Sequence, residues 1–287
     1  MPNSSNPLSQ YFRQPAIYLR LPSQGRFYPK DALEMTATGE LPVYPMTALD
    51  EITYRTPDAL FNGQAVVNVI QSCVPNIKNA WAVPSVDLNA ILTSIRIASY
   101  GHELAVETEC PACKEVNEYE ADLRILLDGI RPGDFAAPLQ FGELSIMFKP
   151  MSYQESNANN SALFEQQKTI QMVYAAEMDE NQKMETLNRA MAQITELTMT
   201  ALKSNIAAVK TPTSIVVEPE YIEEYLRNCD REVFNKIRDH VIALRQSSEV
   251  PPMKVQCSSC SHEFEQTLTL DQTSFFVNAS WDQLPTK

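Results

Sequence analysis

An α+β fold, mostly helical with short antiparallel hairpins, is the expectation for this sequence. Long stretches almost free of glycine and proline repeat apolar residues every three or four positions, the period of a half-buried helix. Shorter stretches alternate apolar with polar residues, the period of a strand. Two Cys-x-x-Cys pairs, Cys110/Cys113 and Cys257/Cys260, add a split zinc-ribbon-like module to that frame. With 287 residues, 44% of them hydrophobic, the chain holds enough apolar material for one large or two ordinary domains.

Residues 1–18 are expected to form an N-terminal arm, the first fourteen of them mobile or ordered by a partner. Residues 19–105 combine a proline-rich segment with two helices. Pro15, Pro22, Pro29, Pro42, Pro45 and Pro57 crowd the first sixty positions. Each fixes its own φ and pushes the preceding residue toward extended backbone, so short extended pieces and turns are expected there rather than helices. Turns fall near Ser23-Gln24-Gly25 and Thr38-Gly39. Thr56 as cap, Pro57 and Asp58 then open a helix that runs to about Cys73 and stops before Pro75. A second helix has Ser85 as cap, Leu88, Ile91, Ile95 and Ala98 on one face, and Gly101 as its stop.

Residues 106–125 and 250–275 make up the split ribbon, and residues 126–249 an inserted hairpin and helical subdomain. The hairpin covers residues 139–150 and turns at Gly142. Residues 153–204 predict two helices with a break near Asp179-Glu180-Asn181. One more helix is predicted over residues 219–246, acidic early (Glu220, Glu223, Glu224) and basic late (Arg231, Lys236, Arg238, Arg245), the charge order that suits the helix dipole. Met172, Met178, Met184, Met191 and Met199 could form an adaptable binding surface; core filling is the preferred reading. The basic residues of 231–245 read as a solvated face, because acids are interleaved with them. Residues 276–287 are left as a C-terminal tail.

The cysteine pairs carry the most chemistry. A Cys-x-x-Cys turn puts two sulfurs on one side of a tight knuckle, and two knuckles supply four thiolates for one tetrahedral Zn²⁺. Although 143 residues separate Cys113 from Cys257, the surroundings match. Val106-Glu-Thr-Glu-Cys110 and Met253-Lys-Val-Gln-Cys257 both lead into a knuckle, and Leu123 and Leu270 follow at equal offsets. Both read as strand, knuckle, strand, so one structural Zn²⁺ per chain is expected on Cys110, Cys113, Cys257 and Cys260. Four sulfurs leave no open position for catalysis. A thioredoxin-type dithiol is disfavoured, since neither pair opens a helix in a βαβ setting. His262 could replace one sulfur. Cys73 and Cys229 read as buried structural thiols, and nothing local supports pairing either with His102 or His240 as a nucleophile.

Phosphate-binding, dinucleotide-binding, serine-nucleophile and zinc-protease signatures are absent. No catalytic residue and no enzymatic activity are expected. The net charge is −13; the first hundred residues hold seven acids and seven bases, so the whole excess lies beyond them. Such a chain is a poor default for gripping nucleic acid. No apolar run reaches the roughly 18 to 20 residues of a membrane-spanning helix, and no export signal opens the sequence, so assembly in a reducing cytoplasm is expected.

A series of phrases resembles the T4-type baseplate hub subunit family of contractile-tailed bacteriophages. They are Leu19-Arg-Leu-Pro-Ser23, Gly25-Arg-Phe-Tyr-Pro29, Pro42-Val-Tyr-Pro-Met-Thr-Ala48 with Asp50-Glu51, and Arg55-Thr-Pro-Asp-Ala-Leu60 with Asn62-Gly63. Ser72-Cys-Val-Pro75, Arg96-Ile-Ala98, Tyr100-Gly101 and the Cys110 knuckle complete the series. The likeness is best over residues 17–125 and thins in the helical region. It implies a non-enzymatic part of the tail baseplate, in the central hub or assisting its assembly, with other hub or tail proteins as partners. The zinc ion does not come from the resemblance. Arg26, Phe27, Tyr28 and Tyr44 are candidate partner-binding residues, because rigid aromatics and a planar guanidinium concentrate binding energy. They could equally cover the protein's own helices. The other functional class open at this point is a cellular zinc-ribbon adaptor that recruits protein partners.

Overall fold

Prolines tolerated in strands sit at sheet edges, and the first strand pair of this chain is nothing but edge. Strand β1 (Ile17–Leu19) pairs antiparallel with β2 (Leu41–Val43), placing Tyr18 opposite Pro42. The structure, a computed structural model, describes residues 7–54, 63–175 and 179–266. Between β1 and β2 the chain turns where expected, with Gln24, Gly25 and Gly39 at φ of +58°, +79° and +75°.

The proline-rich segment nevertheless contains a helix, α1 (Ala48–Tyr54), which the proline reading excludes. The stretch 46–56 holds no proline, and a reciprocal cap starts the helix there. Thr47 N and Oγ1 both donate to Asp50 Oδ2 at 2.8 Å, and Asp50 N donates back to Thr47 Oγ1 at 3.2 Å. The arm is anchored beside it. Arg13 donates to the Pro45 carbonyl at 2.5 Å and to the Ser72 carbonyl and hydroxyl at 2.7 and 2.8 Å, with Asp50 at 3.3 Å.

The cap expected at Thr56 to Asp58 lies outside the described residues. Helix α2 (Gln64–Cys73) follows Gly63, whose φ of +79° interrupts any helix running through it. A Cβ on Gly63 would meet the Asn157 amide at 2.9 Å, and the positive φ is what calls for glycine there. Helix α3 (Ser85–Tyr100) stops at Gly101 as expected, but Pro84 occupies the cap position and the Ser85 N–H donates to the Met151 carbonyl at 2.8 Å. Its Ile91 and Ile95 are fully buried, each worth about 1.5–3 kcal/mol of transfer free energy.

Strands β3 (Glu103–Glu109) and β4 (Val116–Asp122) form the first knuckle hairpin, from Glu103 opposite Asp122 to Glu109 opposite Val116. Asp122 then caps a short helix, α4 (Leu123–Gly129), by accepting from Arg124 N at 2.9 Å. Strands β5 (Leu139–Phe141) and β6 (Leu144–Phe148) turn at Gly142, φ +56°. Helices α5 (Tyr153–Ala175) and α6 (Glu180–Asn205) form a long hairpin with Asp179 as the second cap. Strand β7 (Ile206–Lys210) returns to β6, and β8 (Ile215–Val216) closes a four-stranded antiparallel sheet in the order β5-β6-β7-β8.

The single helix expected over residues 219–246 is two, α7 (Pro219–Asn228) and α8 (Arg231–Gln246). Cys229 is extended, and Asp230 restarts the helix by accepting from Val233 N at 3.3 Å. The basic residues of α8 do lie in a solvated face, with Lys236 on Glu232 and Arg238 on Asp239. The methionines correct the core-filling expectation. Met172, Met184 and Met191 are 54%, 62% and 53% exposed, and only Met199 of the described members is buried. On α6 the inward stripe passes through Leu187, Ala190 and Ile194, which turns Met184 and Met191 outward; Met178 lies outside the described residues. Strands β9 (Met253–Gln256) and β10 (Glu263–Gln266) form the second knuckle hairpin.

Two hydrophobic cores result among the described residues. The first joins β1, β2, α2, α3 and α4 with Ala121 of β4 and Val250, and Met253 of β9 packs against it. The second packs Ile146 and Phe148 of β6 and Val209 of β7 against Leu202 of α6, Ile222 and Leu226 of α7 and Ile237 of α8. No helix among the described residues is long and apolar enough to cross a membrane.

Candidate metal centre

Each knuckle is held by the same backbone bonds. Cys110 N donates to the Glu115 carbonyl at 2.9 Å and Lys114 N to the Cys110 carbonyl at 2.9 Å; Cys257 N donates to His262 and Ser261 N to Cys257 at 2.9 and 3.0 Å. The residue four places after each leading cysteine, Lys114 or Ser261, is left-handed, at φ +65° and +59°. The two turns are thus copies in conformation as well as in spacing.

Facing each other, they gather Cys110, Cys113, Cys257 and Cys260, whose sulfurs all lie within 4.8 Å of one another. Cys110 Sγ is 3.7 Å from Cys260 Sγ, and Cys113 Sγ is 3.6 Å from Cys257 Sγ. A tetrahedron with Zn–S arms of about 2.3 Å has edges of about 3.8 Å. The donor set and its dimensions fit one tetrahedral thiolate-bound ion. Cys110 and Cys257 are buried, and Cys113 and Cys260 are exposed.

Four sulfurs this close oppose one another's ionisation unless a cation is shared among them. Backbone N–H groups of Cys260 and Ser259, then Cys113 and Asn117, stabilise the Cys257 thiolate and bring it down to about 6. Cys113 receives the Glu115 N–H, yet the sulfurs of Cys260, Cys257 and Cys110 together with burial push it up to about 12. A divalent ion would favour the thiolate at all four.

Asn117, inward on β4, is a site residue the cysteine spacing does not reveal. Its amide donates to Cys257 Sγ at 3.5 Å, while its Oδ1 accepts from Ser258 N at 2.9 Å and Ser258 Oγ at 2.7 Å. The signal for it is a polar side chain at an inward position of an alternating strand. Tyr119, two residues on, donates from its hydroxyl to the Gln256 carbonyl at 3.0 Å. His262 is outside the sulfur cluster and stacks on Phe264, with centroids 6.2 Å apart. The polar contacts of the other two thiols are Arg13 for Cys73 and the Leu226 carbonyl for Cys229; His240 packs on Phe148 at 4.7 Å.

The four candidate partner residues differ in exposure and contacts. Arg26 is exposed, and its Nε donates to the Ser23 carbonyl at 3.1 Å. Phe27 is 40% exposed and meets Phe135 edge-on at 5.5 Å. Tyr28 packs against the first core, and Tyr44 lies under the Arg13 guanidinium at 5.9 Å. Tyr28 and Tyr44 are half-buried, whereas Arg26 and Phe27 are exposed.

Comparison with known proteins adds the decisive observation: the family model described as T4 bacteriophage base plate protein matches residues 45–277. The chain belongs to that family. The match spans both knuckles and the helical region between them, further toward the C-terminus than the phrase-by-phrase resemblance reaches; Arg26, Phe27, Tyr28 and Tyr44 precede it. No curated protein and no solved structure matches the chain. A structural role in the phage baseplate, at the virion tail, follows from the family.

Proposed function

We propose that this baseplate protein is a non-enzymatic component of the central hub region of a contractile tail, or an assembly factor for it. In this reading it acts through contacts with other hub or tail proteins and is stabilised by one structural Zn²⁺. The family match over residues 45–277 carries the reading. The four convergent sulfurs support the metal, and the ion would be held by Cys110, Cys113, Cys257 and Cys260. Zinc supplies no reaction here; it fixes two hairpins that share no strand pairing. Residues 126–249 are then an inserted subdomain, their ends tied together by the cluster. Assembly takes place in the host cytoplasm, where thiolates stay reduced and metal-competent. The family match favours this reading over the cellular zinc-ribbon adaptor, and the acidic chain argues against nucleic acid as a partner.

Quantitative peptide mass spectrometry of purified virions tests the assignment, with zinc measured on the recombinant full chain. A small fixed number of copies per particle and about one zinc per chain are expected for a resident part. Presence in lysate with absence from particles would identify the assembly factor, and absence from both would remove the baseplate reading. Protein purified without chelator and free of zinc would overturn the metal.

A further inference from the structure

We propose that the sulfur cluster is also a peroxide-reactive site, in which Cys110 joins Cys260 and Cys113 joins Cys257 as two disulfides between the hairpins while the metal is released. The proposal rests on the zinc reading for its resting state; the sulfur pairing stands on geometry alone.

The close sulfur contacts, 3.7 Å for Cys110 and Cys260 and 3.6 Å for Cys113 and Cys257, run between hairpins. A disulfide needs about 2.05 Å, so each pair must close by less than about 2 Å. Each pair also joins an exposed residue, Cys113 or Cys260, to a buried one, Cys257 or Cys110. Both knuckles lie between β-strands, unlike a thioredoxin-type pair, and the backbone-to-backbone bonds of each turn involve only its leading cysteine. Bonds between hairpins therefore form without unmaking either turn.

The chemistry balances with a peroxide as oxidant. One thiolate of each pair attacks hydrogen peroxide; the O–O bond breaks, hydroxide leaves, and the sulfur becomes a sulfenic acid. Its partner across the hairpins then attacks that sulfur as a thiolate, forming the S–S bond and expelling a second hydroxide as the S–O bond breaks. Two peroxides convert four thiolates into two disulfides and four hydroxides, and Zn²⁺ passes to solvent. One cross-link replaces another between the same two hairpins. A tail protein moving from a reducing host to an oxidising exterior thereby keeps its hairpins joined.

The test uses the reduced, zinc-loaded full chain, titrated with hydrogen peroxide in the presence of a chromogenic chelator. Remaining thiols are blocked, and peptides are mapped without reduction. Two equivalents of peroxide should release the zinc and link the peptide containing Cys110 and Cys113 to the one containing Cys257 and Cys260. The double variants C113S/C257S and C110S/C260S, each retaining one predicted pair, should each form its single disulfide. Should a variant fail to fold, the wild-type map still separates bonds between hairpins from bonds within them. Disulfides confined to the Cys-x-x-Cys pairs, or sulfinic acids without cross-links, would overturn the proposal. A chain that carries no zinc yet forms the predicted bonds would remove the metal and keep this inference; a zinc-loaded chain inert to peroxide would do the reverse.

Discussion

Asp87 shows how far a single side chain departs from what its position in a helix suggests. In the first turn of α3 an aspartate ordinarily faces solvent and favours the positive end of the dipole. Here it is fully buried; it accepts from Ser23 N at 2.8 Å and lies 2.5 Å from Ser23 Oγ, tying the proline-rich turn to the helix. The Tyr28 hydroxyl is buried beside the same carboxylate, outside hydrogen-bonding geometry, and its phenol is pushed up by burial and by that neighbouring charge. Burial outweighs the Ser23 bonds and raises Asp87 to about 6. A carboxyl raised above its unfolded value of about 3.9 favours folding most at low pH, so its contribution is full below about pH 4 and lost as pH rises through about 6. The difference is roughly 3 kcal/mol. Asp87→Asn keeps an acceptor for Ser23 N without the ionisation. Melting temperatures at pH 5 and pH 7.5 should therefore differ less in the variant than in the wild type. Equal pH slopes in the two proteins would show that Asp87 does not titrate in this range.

The break between α7 and α8 turns on Asp230. Read as one helix, residues 219–246 place Asp230 in the interior, where alanine is the better helix former by up to about 0.7 kcal/mol. Read as two helices, Asp230 caps the second, and alanine should cost about 1 kcal/mol. Asp230→Ala thus decides between the readings by sign; a fall of about 2–4 °C in Tm is expected, and a rise would restore the single helix. Where the sequence was easy to read, one local rule acted alone. Gly101 and Gly142 turned the chain, Ser23-Gln24-Gly25 turned it again, and the matched knuckles announced their own hairpins. Where it was hard, a second rule competed. Dipole-ordered charges concealed the Asp230 cap, prolines on either side concealed the Thr47 and Asp50 box, and the methionine spacing fits a helix without saying which face turns inward. The four sulfurs could be named from spacing, but Asn117 could not, because its partner Ser258 lies 141 residues away.

Joined at one cluster, the hairpins lock the two ends of a long excursion that contains the whole second core. The first core is expected to survive in part without a metal, since α2 packs on α3 and α3 on β1 and β2. Chelation should therefore loosen β9 and β10 before it unfolds α3. Treatment of the zinc-loaded chain with a strong chelator is expected to lower Tm and to open proteolytic sites near residues 247–266, and Cys257→Ser should behave alike without chelator. Unchanged melting and cleavage in both would mean the sulfurs contribute nothing to the fold.

The separation of the knuckles also gives the protein a clock. Cys257 leaves the ribosome 144 residues after Cys113, an interval on the order of 10 to 30 s at about 5–20 residues per second. Throughout it the first pair has only two of its four ligands, and the second core must be synthesised before the rest arrive. With the proposed metal, loading would be a receipt for completed translation: a chain cut short anywhere in the helical region lacks Cys257 and Cys260 and cannot close the cluster, whatever else it has folded.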